Sequence, residues 1–182
     1  DDIVKYMPAA ESRKVSGINL KTNEIFEANF DVLKPKSAFV FKTIVDPFIG
    51  RYSLIKVRSG VFKTDDLCYN ARTETEFKVG KLYILQGNKA SEISELHAGD
   101  LGALAKLQGV NTGDTISTKA TPIQYAKMDI STPYTYLRYK AVNKQDIDKI
   151  AQAMGKLAAE DPTFKAVNDS ANSQSLIYGM GD

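Results

Sequence analysis

DPFIGRYSLIKVRSGVF, residues 46–62, is a turn, a strand and a second turn. Asp46-Pro47 and Gly50 interrupt the chain, because Pro fixes φ and removes a backbone donor while Gly accepts turn conformations. RYSLIKVRSG then reads as a strand that ends on Gly60. Upstream, AFVFKTIVD (38–46) alternates as a first strand. Downstream, DLCYNA, EFKVGKLYIL, ISELHAGD and LGALAKL follow at short spacing, with Gly60, Asn70, Gly80, Gly87, Gly99, Gly109 and Gly113 between or beside them. Short strands with regular turn signals from Ser37 to Ser117 predict a closed barrel or a sandwich. Closure would remove exposed strand edges.

Further along, the periodicity changes. PYTYLRYKAV (133–142) is a strand with Tyr134, Tyr136 and Arg138 on one side and Thr135, Leu137 and Tyr139 on the other. Asn143 is placed to cap a helix, with Asp146 at its third position in a capping-box arrangement. Ile147, Ile150, Ala151, Met154, Leu157 and Ala158 form one apolar face, and Asp161-Pro162 ends the helix. FKAVND and SLIYGM are strands joined by the polar SANSQ, which predicts a hairpin. Strand, helix, strand, strand is three-quarters of a split βαβ unit.

Before the barrel, DDIVKYMP reads as the last turns of a helix cut off by Pro8. Residues 9–36 are polar and linker-like, with room for a hairpin in VSGINLKTNEIFEA turning at Thr22-Asn23. Both termini fall inside expected elements, so the sequence reads as a piece of a longer protein.

The 182 residues suffice for a large core without disulfides or metals, at 43% hydrophobic and 25% charged. Cys68 has no partner cysteine and reads as a buried strand thiol in a reducing compartment. No segment reaches the roughly 20 apolar residues of a membrane span. A net charge of +2 places any nucleic-acid surface in a local patch.

Several runs together resemble bacterial elongation factor G. DPFIGRYSLIKVRSGVF, EISELHAGDLGAL and TGDTIS resemble its second domain, KLAAEDPTF and GMGD its third, and VKYMP the last helix of its GTPase domain. The resemblance implies a mainly β chain. A translation-factor antiparallel β-barrel is followed by a truncated α+β ferredoxin-like domain lacking its last helix and strand. The implied limits are 1–35 for the end of the GTPase-domain helix and linker, 36–120 for the barrel and 121–182 for the partial third domain. The sequence departs from the family at Leu85-Gln86-Gly87-Asn88-Lys89-Ala90, at Asp182 and in the linker at 11–34.

Catalytic constellations are missing from the pattern. Asn143-Lys144-Gln145-Asp146 matches a guanine-recognition run, yet no Gly-rich phosphate loop precedes it, so helix capping is the better reading. His97 is the only histidine and lies beside an expected turn, so it reads as an ordinary strand-end side chain rather than a triad base, and a two-His metal site is excluded. Asp65-Asp66 reads as a turn. By resemblance, GTP and Mg²⁺ belong to the full-length parent, a cytoplasmic GTPase, and this chain binds neither.

Binding surface remains. Arg51, Lys56, Arg58, Lys63, Arg72, Lys78, Lys81 and Lys89 fall in the barrel region, interleaved with Tyr52, Phe62, Tyr69 and Phe77. The resemblance implies that this domain meets small-subunit ribosomal RNA and proteins, with cations on phosphates. It also implies contact with the GTPase domain of the same polypeptide and no membrane. Self-association through the incomplete third domain follows from its uncovered apolar face. The competing reading is a stand-alone RNA- or protein-binding regulatory module built on the same barrel.

Overall fold

A computed structural model describes residues 2–9, 12–46, 50–87, 89–169, 172 and 174–181. The centre of the Asp46–Gly50 turn, Asn88, most of the SANSQ connection and Asp182 lie outside the described residues. At the start, α1 (Asp2–Tyr6) is a short helix whose last bond runs from Met7 N–H to Ile3 O at 2.9 Å, just before Pro8. The hairpin in the expected linker is present as β1 (Ser16–Asn19) and β2 (Ile25–Glu27), with Asn23 at φ 58° in its turn. The linker reading of 9–36 is nevertheless corrected. This segment is built into the body, because β1 also pairs with β13 (Ile123–Gln124), from beyond the barrel strands. Ala28, Phe39, Ile123 and Tyr125 form a small core beneath it.

β3 (Ser37–Asp46) and β4 (Gly50–Ser59) are the two long strands predicted from the stretch around residue 50. Their register shifts by one residue between Val40 and Lys42, a bulge that bends the pair. β5 (Val61–Lys63), β6 (Leu67–Asn70), β7 (Thr75–Lys78), β8 (Leu82–Gln86), β9 (Lys89–Ile93), β10 (Glu95–His97), β11 (Leu101–Ala105) and β12 (Thr115–Ser117) follow. EFKVGKLYIL is two strands rather than one. Val79 breaks out of the line to exchange bonds with Asp65 and Asp66 while its side chain is fully buried.

Eight strands form one antiparallel sheet in the order β7-β6-β12-β3-β4-β11-β8-β9, and β5 pairs with β10. The sheet rolls up on itself. Phe77 from one end strand and Ile93 from the other pack against the same cluster, which includes Val40, Ile55, Phe62, Cys68, Leu82 and Leu104. Curling lets both ends share one apolar interior, which is how a barrel buries strands this short. Two glycines allow close approaches within the barrel. A side chain at Gly102 would collide with the Leu96 methyl groups, and Gly60 combines φ +69° with Lys36 Cα 2.5 Å from where a Cβ would stand.

From residue 130, β14 (Thr135–Tyr139), α2 (Ile147–Glu160), β15 (Lys165–Asp169) and β16 (Gln174–Gly179) make the predicted strand-helix-hairpin unit. Sheet order is β14-β16-β15 with both pairings antiparallel, so β14 and β15 run parallel with β16 between them. That is the split βαβ arrangement. The capping-box expectation is corrected. Asn143 makes no side-chain cap; its Nδ2 donates to Asp146 Oδ2 at 3.3 Å. Lys144–Asp146 tighten into a 3₁₀ turn and α2 begins only at Ile147. The helix lies over the sheet face that carries Tyr139, Ala166 and Asn168, and none of its side chains is fully buried. Leu137, on the same face, is 63% exposed, and among the described residues of this unit only Leu176 is a buried hydrophobic.

Candidate nucleic-acid interface

Strand geometry separates the eight candidate cations. On β4, residues alternate between interior and exterior, so Lys56 and Arg58 share the outer face while Ile55 and Val57 point into the core. Of the four interleaved aromatics, Tyr69 is half-buried and the other three are not a stacking platform. Phe62 is fully buried, Tyr52 is 3% exposed and Phe77 packs on the core, so these rings hold the barrel together.

Four of the eight cations are paired with carboxylates. Lys63 meets Glu95 at 3.4 Å, Lys78 meets Asp65 at 2.9 Å, Lys81 meets Glu92 at 2.7 Å, and Arg72 meets Asp114. The last pair is structural in character. Asp114, buried, accepts from Arg72 Nε at 2.6 Å, Asn70 Nδ2 at 2.8 Å and the Asn111 backbone at 2.8 Å, which ties residues 70–72 to the turn at 111–114. Its hydrogen bond to Arg72, more than its charge, raises the guanidinium pKa. Arg51 sits at the same end of the barrel and donates to Asn111 Oδ1 at 3.0 Å. Burial lowers its pKa, Asp114 opposes that, and Arg72 adds repulsion. Lys89 is exposed at the start of β9.

Lys56 and Arg58 are different, and a third residue explains why. Phe30, from the segment read as linker, lies under both: Lys56 Nζ is 5.6 Å and Arg58 Cζ 5.8 Å from its ring centroid. The Phe30 N–H donates to Arg58 O at 2.9 Å, and Gly60 N–H donates to Asp31 O at 2.9 Å, so the segment is stitched to the end of β4. Asn29 and Phe30 both adopt positive φ, at 47° and 56°, to make the turn. Such a backbone is uncommon for a bulky residue and needs compensation from its surroundings. Here it comes from burial of the ring and from Asn29 Oδ1, which accepts from Val15 N–H at 3.1 Å.

The two cations are held with little compensation. Burial is the main cause lowering the Lys56 pKa, followed by repulsion from Arg58, while Asp100 pulls it back. Burial also lowers that of Arg58; Tyr125 opposes this and Arg13 adds to it. Lys56 donates to the Gly99 carbonyl. Arg58 Nε is buried with no hydrogen-bond partner. Positive charge that is partly withdrawn from water, with only the Asp100 carboxylate to oppose it, favours an incoming anion. An arginine fork beside a lysine on an aromatic ring suits phosphate oxygens. Sequence reasoning named Lys56 and Arg58 but missed Phe30 and Arg13, because nothing local shows that residues 13–30 return to β4.

Elsewhere, in the Asn143–Asp146 run, Asp146 accepts from Asn143 Nδ2 at 3.3 Å and from Lys149 Nζ at 3.4 Å, within its own turn. Among the described residues no cluster of His, Cys, Asp and Glu could hold a metal ion.

Comparisons with known proteins agree with this architecture. Residues 35–119 match the family model of elongation factor G domain 2, and residues 130–182 match that of elongation factor G domain III. A crystal structure of a protein from Thermus thermophilus is similar at 25% identity and a TM-score of 0.70, over 82% of this chain and 23% of that one. The chain thus spans under a quarter of that relative's length.

Proposed function

The chain belongs to the elongation factor G family, with that family's domain 2 and domain III in succession, and from this we propose that it is a ribosome-binding portion of a translational GTPase. In this reading the parent promotes translocation or a related ribosomal step in the cytoplasm. GTP and Mg²⁺ are held by another part of that parent, since the residues here do not fit them: the sequence has no phosphate loop, and Asp146 is engaged by Asn143 and Lys149. A stand-alone regulatory module is not favoured, because two family domains follow one another in order. Contact with the GTPase domain and self-association through the exposed side chains of β14 belong to the same proposal.

The observation that carries the reading is the under-compensated pair Lys56 and Arg58 over Phe30, with Arg13 nearby. These residues would neutralise ribosomal RNA phosphates and position the barrel without reading sequence. Of the eight candidates, this pair is proposed as the principal contact, and the ion-paired Lys63, Lys78 and Lys81 as peripheral ones. Binding to purified small ribosomal subunits across a salt series tests it. Lys56→Gln with Arg58→Gln should flatten the salt slope by about 0.7–0.9 per lost phosphate contact, whereas Lys63→Gln with Lys81→Gln should change it less. A slope unaltered by the first pair removes the assignment.

A further inference from the structure

β3 is ten residues long, yet β12 pairs only with Ala38 and Phe39 near its start. The Asp114 and Gly113 backbone extends that cover to Val40. Beyond the bulge, β4 lines one side of β3, and among the described residues no strand lines the other. An open strand edge presents unpaired backbone groups that need partners. Thr43 Oγ1 there meets Thr112 Oγ1 at 3.0 Å. The Val45 N–H donates to Glu160 Oε1 at 2.6 Å, across 115 residues of sequence.

Glu160 is the last residue of α2, and the turn behind it is internally satisfied. Asp161 Oδ1 accepts from Thr163 N–H at 2.8 Å and from its hydroxyl at 2.7 Å, and Asp161 N–H donates to Leu157 O at 2.9 Å. The turn therefore presents the Glu160 carboxylate from a defined position. Next to it lies a cleft of about 600 Å³, with Phe41, Ile44 and Met128 on one side and Pro162 on the other. Apolar packing at this joint is incomplete, so the carboxylate bond is its directional element.

We propose that Glu160 is the positioning residue that seats the 130–182 unit on the barrel. Its carboxylate caps Val45 on the open edge of β3 and so sets the direction in which α2 leaves that edge. The family resemblance supplies no such role for this residue, and the proposal is independent of RNA binding.

Paired spin labels at Ser91→Cys and Gln152→Cys, both exposed positions, report the relation between barrel and helix. Cys68 stays unlabelled because it is buried and its thiol is pushed up to about 12. Glu160→Ala should broaden the inter-label distance distribution and speed hydrogen exchange of the Val45 amide at least tenfold. Exchange at Ile55 and Leu104, in the barrel core, should stay as before and shows that the variant is folded. Glu160→Gln retains an acceptor oxygen and should keep the distribution narrow. An unchanged distribution and unchanged Val45 exchange in Glu160→Ala overturn the proposal. Equal broadening in Glu160→Gln and Glu160→Ala also overturns it.

Discussion

Tyr125 shows how a single buried hydroxyl links the segment just after β13 to the barrel strands. It is 7% exposed, its hydroxyl lies 2.6 Å from Ser37 Oγ, and Ser37 Oγ lies 2.5 Å from Ser59 Oγ. Burial pushes its phenol up to about 12 from an ordinary 10.0, against the pull of Ser37, Arg58 and Ser59. Below pH 10 the phenol is protonated in both folded and unfolded chains and its contribution is constant. Between pH 10 and about 12 the unfolded chain releases the proton while the folded one keeps it, so stability falls with rising pH. Two pH units correspond to about 2–3 kcal/mol. Tyr125→Phe should therefore lose about 1 kcal/mol at neutral pH, from the missing hydrogen bond. It should then decline less steeply than the parent from pH 10 to 12. Denaturant titrations at pH 8, 10 and 11.5 check this, and parallel declines would show that the phenol does not carry the effect.

In the 130–182 unit, α2 is poorly seated, with none of its side chains buried. Its apolar face was legible from the spacing of Ile147, Ile150, Ala151, Met154 and Leu157, and the helix forms over that span. Spacing could not show that the face would remain half-covered. A gap of about 260 Å³ separates Ala151, Met154, Gly155 and Ala158 from Tyr139, Ala166 and Asn168 of the sheet. Gly155 lies in the helix interior, and a Cβ added there meets nothing within 4 Å. Glycine costs a helix roughly 0.5–1 kcal/mol relative to alanine. Gly155→Ala should raise stability by about that amount, read as a rise in the denaturation midpoint of the 130–182 unit. A fall would mean that the gap at Gly155 is needed open.

At the scale of the molecule, burial is uneven. The barrel encloses Ile55, Phe62, Leu82, Leu96, Leu104 and Ile116 with no exposure, while the 130–182 unit buries a single hydrophobic among its described residues. Regions with few buried apolar contacts open at lower free energy than well-packed cores. Native-state hydrogen exchange should thus show α2 and β14–β16 opening before β3, β4 and β11. Free energies of opening in the first group should lie several kcal/mol below those in the second. Uniform protection across both groups would mean that the two units unfold as one cooperative body.

Local chemistry sufficed for much of this. The strand at AFVFKTIVD, the stop at Gly60, the helical spacing after residue 147 and the break at Asp161-Pro162 each depend on residues within one turn or one strand, and each is read directly, although the strand is buried at four successive residues rather than alternating. The ordered set of motifs also marked the family. Other features depend on chain segments that meet only after folding. Pairing of Ile18 with Gln124, Phe30 beneath Lys56 and Arg58, and Val45 N–H on Glu160 join positions between 26 and 115 residues apart. No local pattern encodes such meetings, because they follow from which sheet edges remain open and which apolar surface is left to cover. The same reason divides the candidate site. Sequence identified the cations on the barrel strands. Tertiary structure decided which are neutralised by a facing carboxylate and which are held, under-compensated, against an aromatic ring, because charge compensation is settled by neighbours across the fold.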